Sequence, residues 1–195
     1  MKWLPRIHDG DAYDATYDVR TTQGEDVHGE ATFVQRFAPA SVLDAGCGTG
    51  RVARELARRG MTTMGMDMDP AMLATARRKA PHLEWRLDDI ATADAGRTFD
   101  AVLMAGNVMI FVRPGTEATV LHNMARHLNP GGVCVAGFQL HAGLTLDTYD
   151  ALADAAGLQR IERWATWECD PMKPGGQYAV SVHRLRSVTL PSPPG

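Results

Sequence analysis

From residue 41 onward the chain switches repeatedly between two hydrophobic periodicities. Short apolar runs of strand length stand around Val42–Leu43 and over Met61–Met66, Phe99–Ala105 and Val133–Phe138. Between them, apolar residues recur at helical spacing: Val52, Ala53, Leu56 and Ala57 opposite Arg51, Arg54, Glu55, Arg58 and Arg59, then Met72, Leu73 and Ala76. Further helices are predicted over Thr116–Leu128 and Leu146–Ala156. Leu83, Trp85 and Leu87 alternate with Glu84 and Arg86, which predicts a half-exposed strand. Phe99–Ala105 is apolar on both faces after Asp100, as a central parallel strand is. Leu158–Trp167 and Tyr178–Leu185, parted by prolines and glycines, predict an antiparallel hairpin at the sheet edge. The pattern predicts an α/β, Rossmann-like doubly wound sheet of about seven strands. Most strands should be parallel and the last antiparallel, with helices on both faces.

Punctuation residues sharpen the boundaries. Gly60 caps the first of these helices at its C-terminus. Asp69 before Pro70 reads as a helix N-cap followed by its first residue, and Arg77, Arg78 and Lys79 suit the end of that helix. Asn129-Pro130-Gly131-Gly132 predicts a turn leading into the strand at Val133. Ahead of residue 41 the pattern is weaker. Asp11, Asp14 and Asp18 interleave with Tyr13 and Tyr17, which suggests a short helix, and a second is predicted over Glu25–Phe37. The chain thus divides into a helical cap over 1–40, a ligand-binding domain over 41–187 and a disordered tail over 188–195.

The chemistry gathers in Asp44-Ala45-Gly46-Cys47-Gly48-Thr49-Gly50. A strand, a turn with glycine at every second position and a helix form a nucleotide cradle, because glycine lets backbone approach a ligand and a helix start offers free N–H groups. The spacing departs from Gly-x-Gly-x-x-Gly, since residue 51 is Arg51, and no lysine follows as a phosphate-binding loop requires. The stretch resembles the first motif of class I S-adenosylmethionine-dependent methyltransferases of the small methyltransferase-domain type. In that family an acidic residue precedes three alternating glycines, here Asp44, Gly46, Gly48 and Gly50. The resemblance extends downstream to about residue 187. It implies that Asp67, at the tip of the second strand, holds the ribose hydroxyls, for which two carboxylate oxygens are suited. It aligns Asp89 with the exocyclic amine of adenine and the Ile90 N–H with a ring nitrogen. Met68 packs on the adenine face or is core. Asp44, Gly46, Cys47, Gly48, Asp67, Met68, Asp89, Ile90 and Gly106 are therefore the expected cofactor residues, with S-adenosylmethionine as cofactor and S-adenosylhomocysteine as product.

Composition narrows the partners. The chain has 195 residues and a net charge of -3, which disfavours a nucleic-acid partner. Cys47, Cys134 and Cys169 form neither metal spacing nor a disulfide framework and suit a cytoplasmic protein. No metal and no membrane partner are predicted, and the protein is expected as a monomer or homodimer. Methyl transfer needs mainly a positioned nucleophile and at most a base. Ligands of open sheets sit beyond the carboxyl ends of the strands, which places Asn107, Gln139 and His141 near a small-molecule acceptor. Tyr13, Tyr17, His28 and Glu30 close over them. His141 is the candidate base, or else a loop histidine without a role. Asn107 meets the substrate or caps a turn. Gly106-Asn107-Val108-Met109 lacks the Pro-Pro-Tyr-like run common in enzymes that methylate amide or base nitrogens. Two other readings stand beside the methyltransferase. One is another nucleoside-cofactor enzyme, an aminopropyl transferase or a dehydrogenase. The other is a regulatory protein that binds the cofactor without catalysis.

Overall fold

The computed structural model describes residues 10–22, 27–140 and 143–186. In chain order its elements are α1 (Gly10–Thr22), α2 (Gly29–Gln35), β1 (Ser41–Ala45), α3 (Arg51–Arg58), β2 (Thr62–Asp67), α4 (Pro70–Lys79) and β3 (Glu84–Leu87). Then come β4 (Phe99–Met104), α5 (Val108–Phe111), α6 (Glu117–Arg126), β5 (Leu128–Gln139), α7 (Leu146–Ala155), β6 (Leu158–Trp164) and β7 (Tyr178–Leu185). All seven strands form one sheet in the order β3-β2-β1-β4-β5-β7-β6. β1 to β5 are parallel, and β7 runs antiparallel to both its neighbours, so the expected sheet is the one that forms.

The hairpin folds back on itself, so that β7 takes the inner place and β6 the edge. Burial explains the exchange. Ala179, Val180, Ser181, Val182 and His183 are buried along β7, whereas Gln159, Arg160 and Ile161 of β6 are exposed. The sheet separates two cores. Leu43, Met64, Met66, Val102, Met104 and Phe138 face α6 and α7, while Val42, Leu103, Val135 and Val182 face α2 and α3. Alternation along each strand sends neighbours to opposite faces.

Several boundaries differ from expectation. The helix predicted over Glu25–Phe37 occupies Gly29–Gln35. The turn at Asn129–Gly132 lies inside β5 rather than ahead of it: Phe99 pairs with Leu128 and Ala101 with Val133, and Asp100 alone faces the bulge between them. That aspartate holds the bulge by accepting from Asn129 Nδ2 at 2.7 Å and from Ser41 N at 3.0 Å. Glu55, expected on the polar face of α3, is buried. Hydrogen bonds from Arg58 and Arg59 offset its desolvation and hold its pKa down to about 2. After β4, Gly106 and Asn107 break the strand at positive φ, and the chain then forms the single turn α5. Asp69 does cap α4, accepting from the N–H groups of Ala71 and Met72. The carboxyl ends of the parallel strands together make one edge of the sheet.

Candidate functional site

The glycine turn at this edge is tied to its neighbour: Gly46 N and Cys47 N both donate to Met66 O, at 2.8 and 3.0 Å. Its three glycines serve different ends. A Cβ on Gly46 would run into Val108, and one on Gly50 would overlap the Trp85 indole. Gly50 also has φ +75, so both its backbone and its surroundings require glycine. Around Gly48, at φ +55, a Cβ would meet nothing within 4 Å. Gly48 is thus the glycine that opens toward a ligand. Trp85 fills the back of the turn, packed against Gly50 and Gly65 and held by its Nε1–H on Ala80 O at 2.8 Å.

The acidic residues stand around this opening in three settings. Asp44 is buried under the turn and accepts from Ala53 N at 3.1 Å. Burial pushes its carboxyl up to about 7 in spite of the nearby Arg51 guanidinium. Asp67 lies at the end of β2. Its Oδ2 accepts from Gly48 N and its Oδ1 from Asp69 N, each at 2.8 Å, so the carboxylate ties the glycine turn to the end of β2. Burial raises its pKa. Asp89 follows β3, its Oδ1 accepting from Ala91 N at 2.9 Å, while its Oδ2 and the Ile90 N–H carry no hydrogen bond among the described residues. The Ile90 side chain is core. Met68 is 54% exposed beside Asp67, which removes the alternative that it is a core residue. Leu87, its neighbour on β3, is exposed as well. Burial and the nearby Asp44 and Asp67 carboxylates push the thiol of half-buried Cys47 well above its ordinary range. A cavity of about 70 Å³ joins Asp44, Gly46, Cys47, Gly48, Arg51 and Gly106. A larger open groove of about 470 Å³ lies at the other edge of the sheet, near Pro39, Gly131 and Arg184, away from all of this chemistry.

The N-terminal helices reach the same edge. Asp14 of α1 is buried and binds Thr49 Oγ1, Arg54 and Lys79. Arg51 grips Glu30 with both guanidinium nitrogens, reaches Val27 O and stacks on the Tyr17 ring at 4.3 Å. Tyr17 and Glu30 are therefore gathered at Arg51, beside the turn, while half-buried His28 lies near Glu55 of α3. Tyr13 lies on α1, but its side chain, like all of His141, is outside the described residues. Asn107 has φ +69 and braces the backbone. Its N–H donates to Gly137 O at 3.1 Å and its Oδ1 accepts from Gln139 N at 2.8 Å, joining the ends of β4 and β5. Its side chain makes no cap bond to the turn that follows, and its carbonyl braces the end of β5 instead.

Two aromatic residues went unnoticed in the sequence. Trp167 Nε1 donates to the Tyr178 hydroxyl at 3.1 Å, and both rings fill the space above Gly137. Burial pushes the Tyr178 phenol up to about 12. The available signal was Gly137 itself, since glycine inside an apolar strand marks a close approach.

A glycine turn, a second-strand carboxylate and a third-strand aspartate along one edge of an open α/β sheet define a nucleoside-cofactor cradle. Residues 42–132 match a family model described as a methyltransferase domain. The chain is 32% identical over 132 residues to the dTDP-4-amino-2,3,4,6-tetradeoxy-D-glucose N,N-dimethyltransferase of Saccharopolyspora spinosa, covering 64% of this chain and 52% of that protein. It is 35% identical over 127 residues to the dTDP-3-amino-3,6-dideoxy-alpha-D-glucopyranose N,N-dimethyltransferase of Streptomyces fradiae, covering 61% and 50%. The chain spans about half the length of these curated relatives. Its structure is similar to that of a TehB-like SAM-dependent methyltransferase from Corynebacterium glutamicum, with a TM-score of 0.84 and 29% identity over 91% of this chain and 98% of the other. Residues 42–132 thus form a methyltransferase domain, similar to the class I S-adenosylmethionine-dependent methyltransferases, and S-adenosylmethionine is the cofactor these similarities support. No helix among the described residues is long and apolar enough to cross a membrane.

Proposed function

We propose that the chain transfers a methyl group from S-adenosylmethionine to the amine of a small-molecule acceptor, an amino sugar, by in-line displacement. When bound, the cofactor supplies a methyl group already activated on a sulfonium sulfur. The work left to the chain is to hold and orient the reactants. Gly46 to Gly48 lie along the amino-acid portion of the cofactor. Asp67 accepts from the ribose hydroxyls, Asp89 Oδ2 from the adenine amine, and the Ile90 N–H donates to the ring, with Met68 against its face. Asp44 lies buried beneath the turn, where its carboxyl accepts from Ala53 N and ties the turn to α3. Tyr17, His28, Glu30, Trp167 and Tyr178 border the acceptor side, and Asn107 keeps the ends of β4 and β5 together there. His141 remains the candidate base.

One observation carries this reading. The Gly48 N–H donates to Asp67 Oδ2 at 2.8 Å, so the opened glycine and the proposed ribose carboxylate are direct neighbours. The amine is supported by the two relatives whose names specify amino-sugar nitrogen as the methylated atom. Calorimetry with S-adenosylhomocysteine and NADH tests the cofactor, and binding of NADH alone would overturn it. Release of S-adenosylhomocysteine from S-adenosylmethionine in the presence of dTDP-amino sugars tests the acceptor. Turnover with hydroxyl or carboxylate analogues but with no amine would remove the amine and keep the class.

A further inference from the structure

The loop after β3 carries Asp89 and the Ile90 N–H, and one helix holds it from behind. Asn123 and His127 stand one turn apart on α6, each 4% exposed. Asn123 Nδ2 donates to Ile90 O at 3.0 Å and to Ala93 O at 2.9 Å, so both of its amide hydrogens are committed to the loop. His127 Nε2 lies 3.0 Å from Ala95 N, and its Nδ1 lies 2.8 Å from Asn123 O. A backbone N–H can only donate, so Nε2 accepts and Nδ1 carries the proton. Two side chains thus set three hydrogen bonds on residues 90, 93 and 95. Ile90, Ala91, Ala93 and Ala95 are buried in the same core as Val120 and Met124 of α6. Replacing Asn123 by an apolar residue would strand two carbonyls in that core, which strongly favours the bonded geometry.

We infer that Asn123 is a positioning residue for the nucleobase end of the site, with His127 as its second anchor. The pair fixes the loop so that the Asp89 carboxylate and the Ile90 N–H meet the donor and acceptor edges of adenine in register. The inference rests on the adenine roles proposed above for Asp89 and Ile90. It also explains why buried polar side chains stand on the core face of α6.

The test uses base discrimination rather than affinity alone. S-Adenosylhomocysteine presents an amine and an unprotonated ring nitrogen. S-Inosylhomocysteine presents a carbonyl and a protonated ring nitrogen in the same places, which reverses both partners. The wild-type chain should prefer the adenine ligand in titration calorimetry. Asn123→Leu keeps the side-chain shape and removes both donors, and it should compress that preference by about tenfold. His127→Phe should compress it less, and it carries the comparison should Asn123→Leu fail to melt as a folded protein. A purely structural role would weaken both ligands by one factor and leave the ratio intact, and that result overturns the inference. A wild-type chain indifferent to the base would overturn the inference together with the assignment of Asp89.

Discussion

On the β1–β3 side of the sheet, the candidate site comes from one stretch of chain, residues 44–90, and its parts touch through short backbone bonds. On the β4–β7 side it is assembled from separate segments: Asn107 meets Gln139, and Trp167 meets Tyr178. In the function proposed above, the first side holds the cofactor and the second the acceptor, and separate segments can change on the second side without disturbing the first. Burial works in opposite directions on the two sides as well. It raises the pKa of Asp44 under the turn to about 7 and lowers that of His183 on β7 to about 4.

The largest effect is expected where the cradle is packing rather than ligand site. Gly50→Val drives a branched side chain into the Trp85 indole at a left-handed backbone position. It should cost on the order of 3–5 kcal/mol, enough to leave little folded protein. Gly48→Val meets open space and carries only the strain of a branched residue at φ +55, so it should melt well above Gly50→Val and lose cofactor binding. Thermal melts and S-adenosylhomocysteine titration separate the two, and similar melts for both variants would erase the distinction between packing glycine and ligand glycine.

Next in size are opposed responses to pH. Between the ordinary Asp pKa of 3.8 and about 7, the folded chain keeps a proton on Asp44 that the unfolded chain has released, so this contribution to stability falls as pH rises. Between 6.5 and about 4, the unfolded chain takes up a proton that buried His183 refuses, so that contribution falls as pH drops. Each is worth on the order of 3 kcal/mol over its window. Denaturant melts from pH 4 to 8 should lose the first slope in Asp44→Asn and the second in His183→Gln. The same slope in both variants would show that neither group sets it.

A finer contrast lies within the cradle. Asp67→Ala should weaken S-adenosylhomocysteine binding by roughly tenfold to several hundredfold, the value of charge-assisted hydrogen bonds to the ribose. Asp69→Ala is the smallest effect, about 1 kcal/mol of stability through its lost helix cap, with affinity nearly unchanged. Calorimetry and melts on the pair decide it, and equal affinity losses would move the ribose contact away from Asp67.

The sequence alone determined the strand and helix order from Ser41 to Phe138, the cap at Asp69 and the cradle, because each depends on residues near one another in the chain. Hydrophobic period, Asp-Pro and alternating glycines speak locally. The tertiary structure decided what those same residues do. It made Gly50 a seat for Trp85, set the Asn107 carbonyl as a brace on β5, buried Glu55, and put β7 inside β6. It also brought Tyr178 to Trp167 and Asn123 to the loop at Ile90. These contacts join positions far apart in sequence, where no spacing rule links the partners. Only the competition for buried space and for hydrogen bonds in the folded chain selects them.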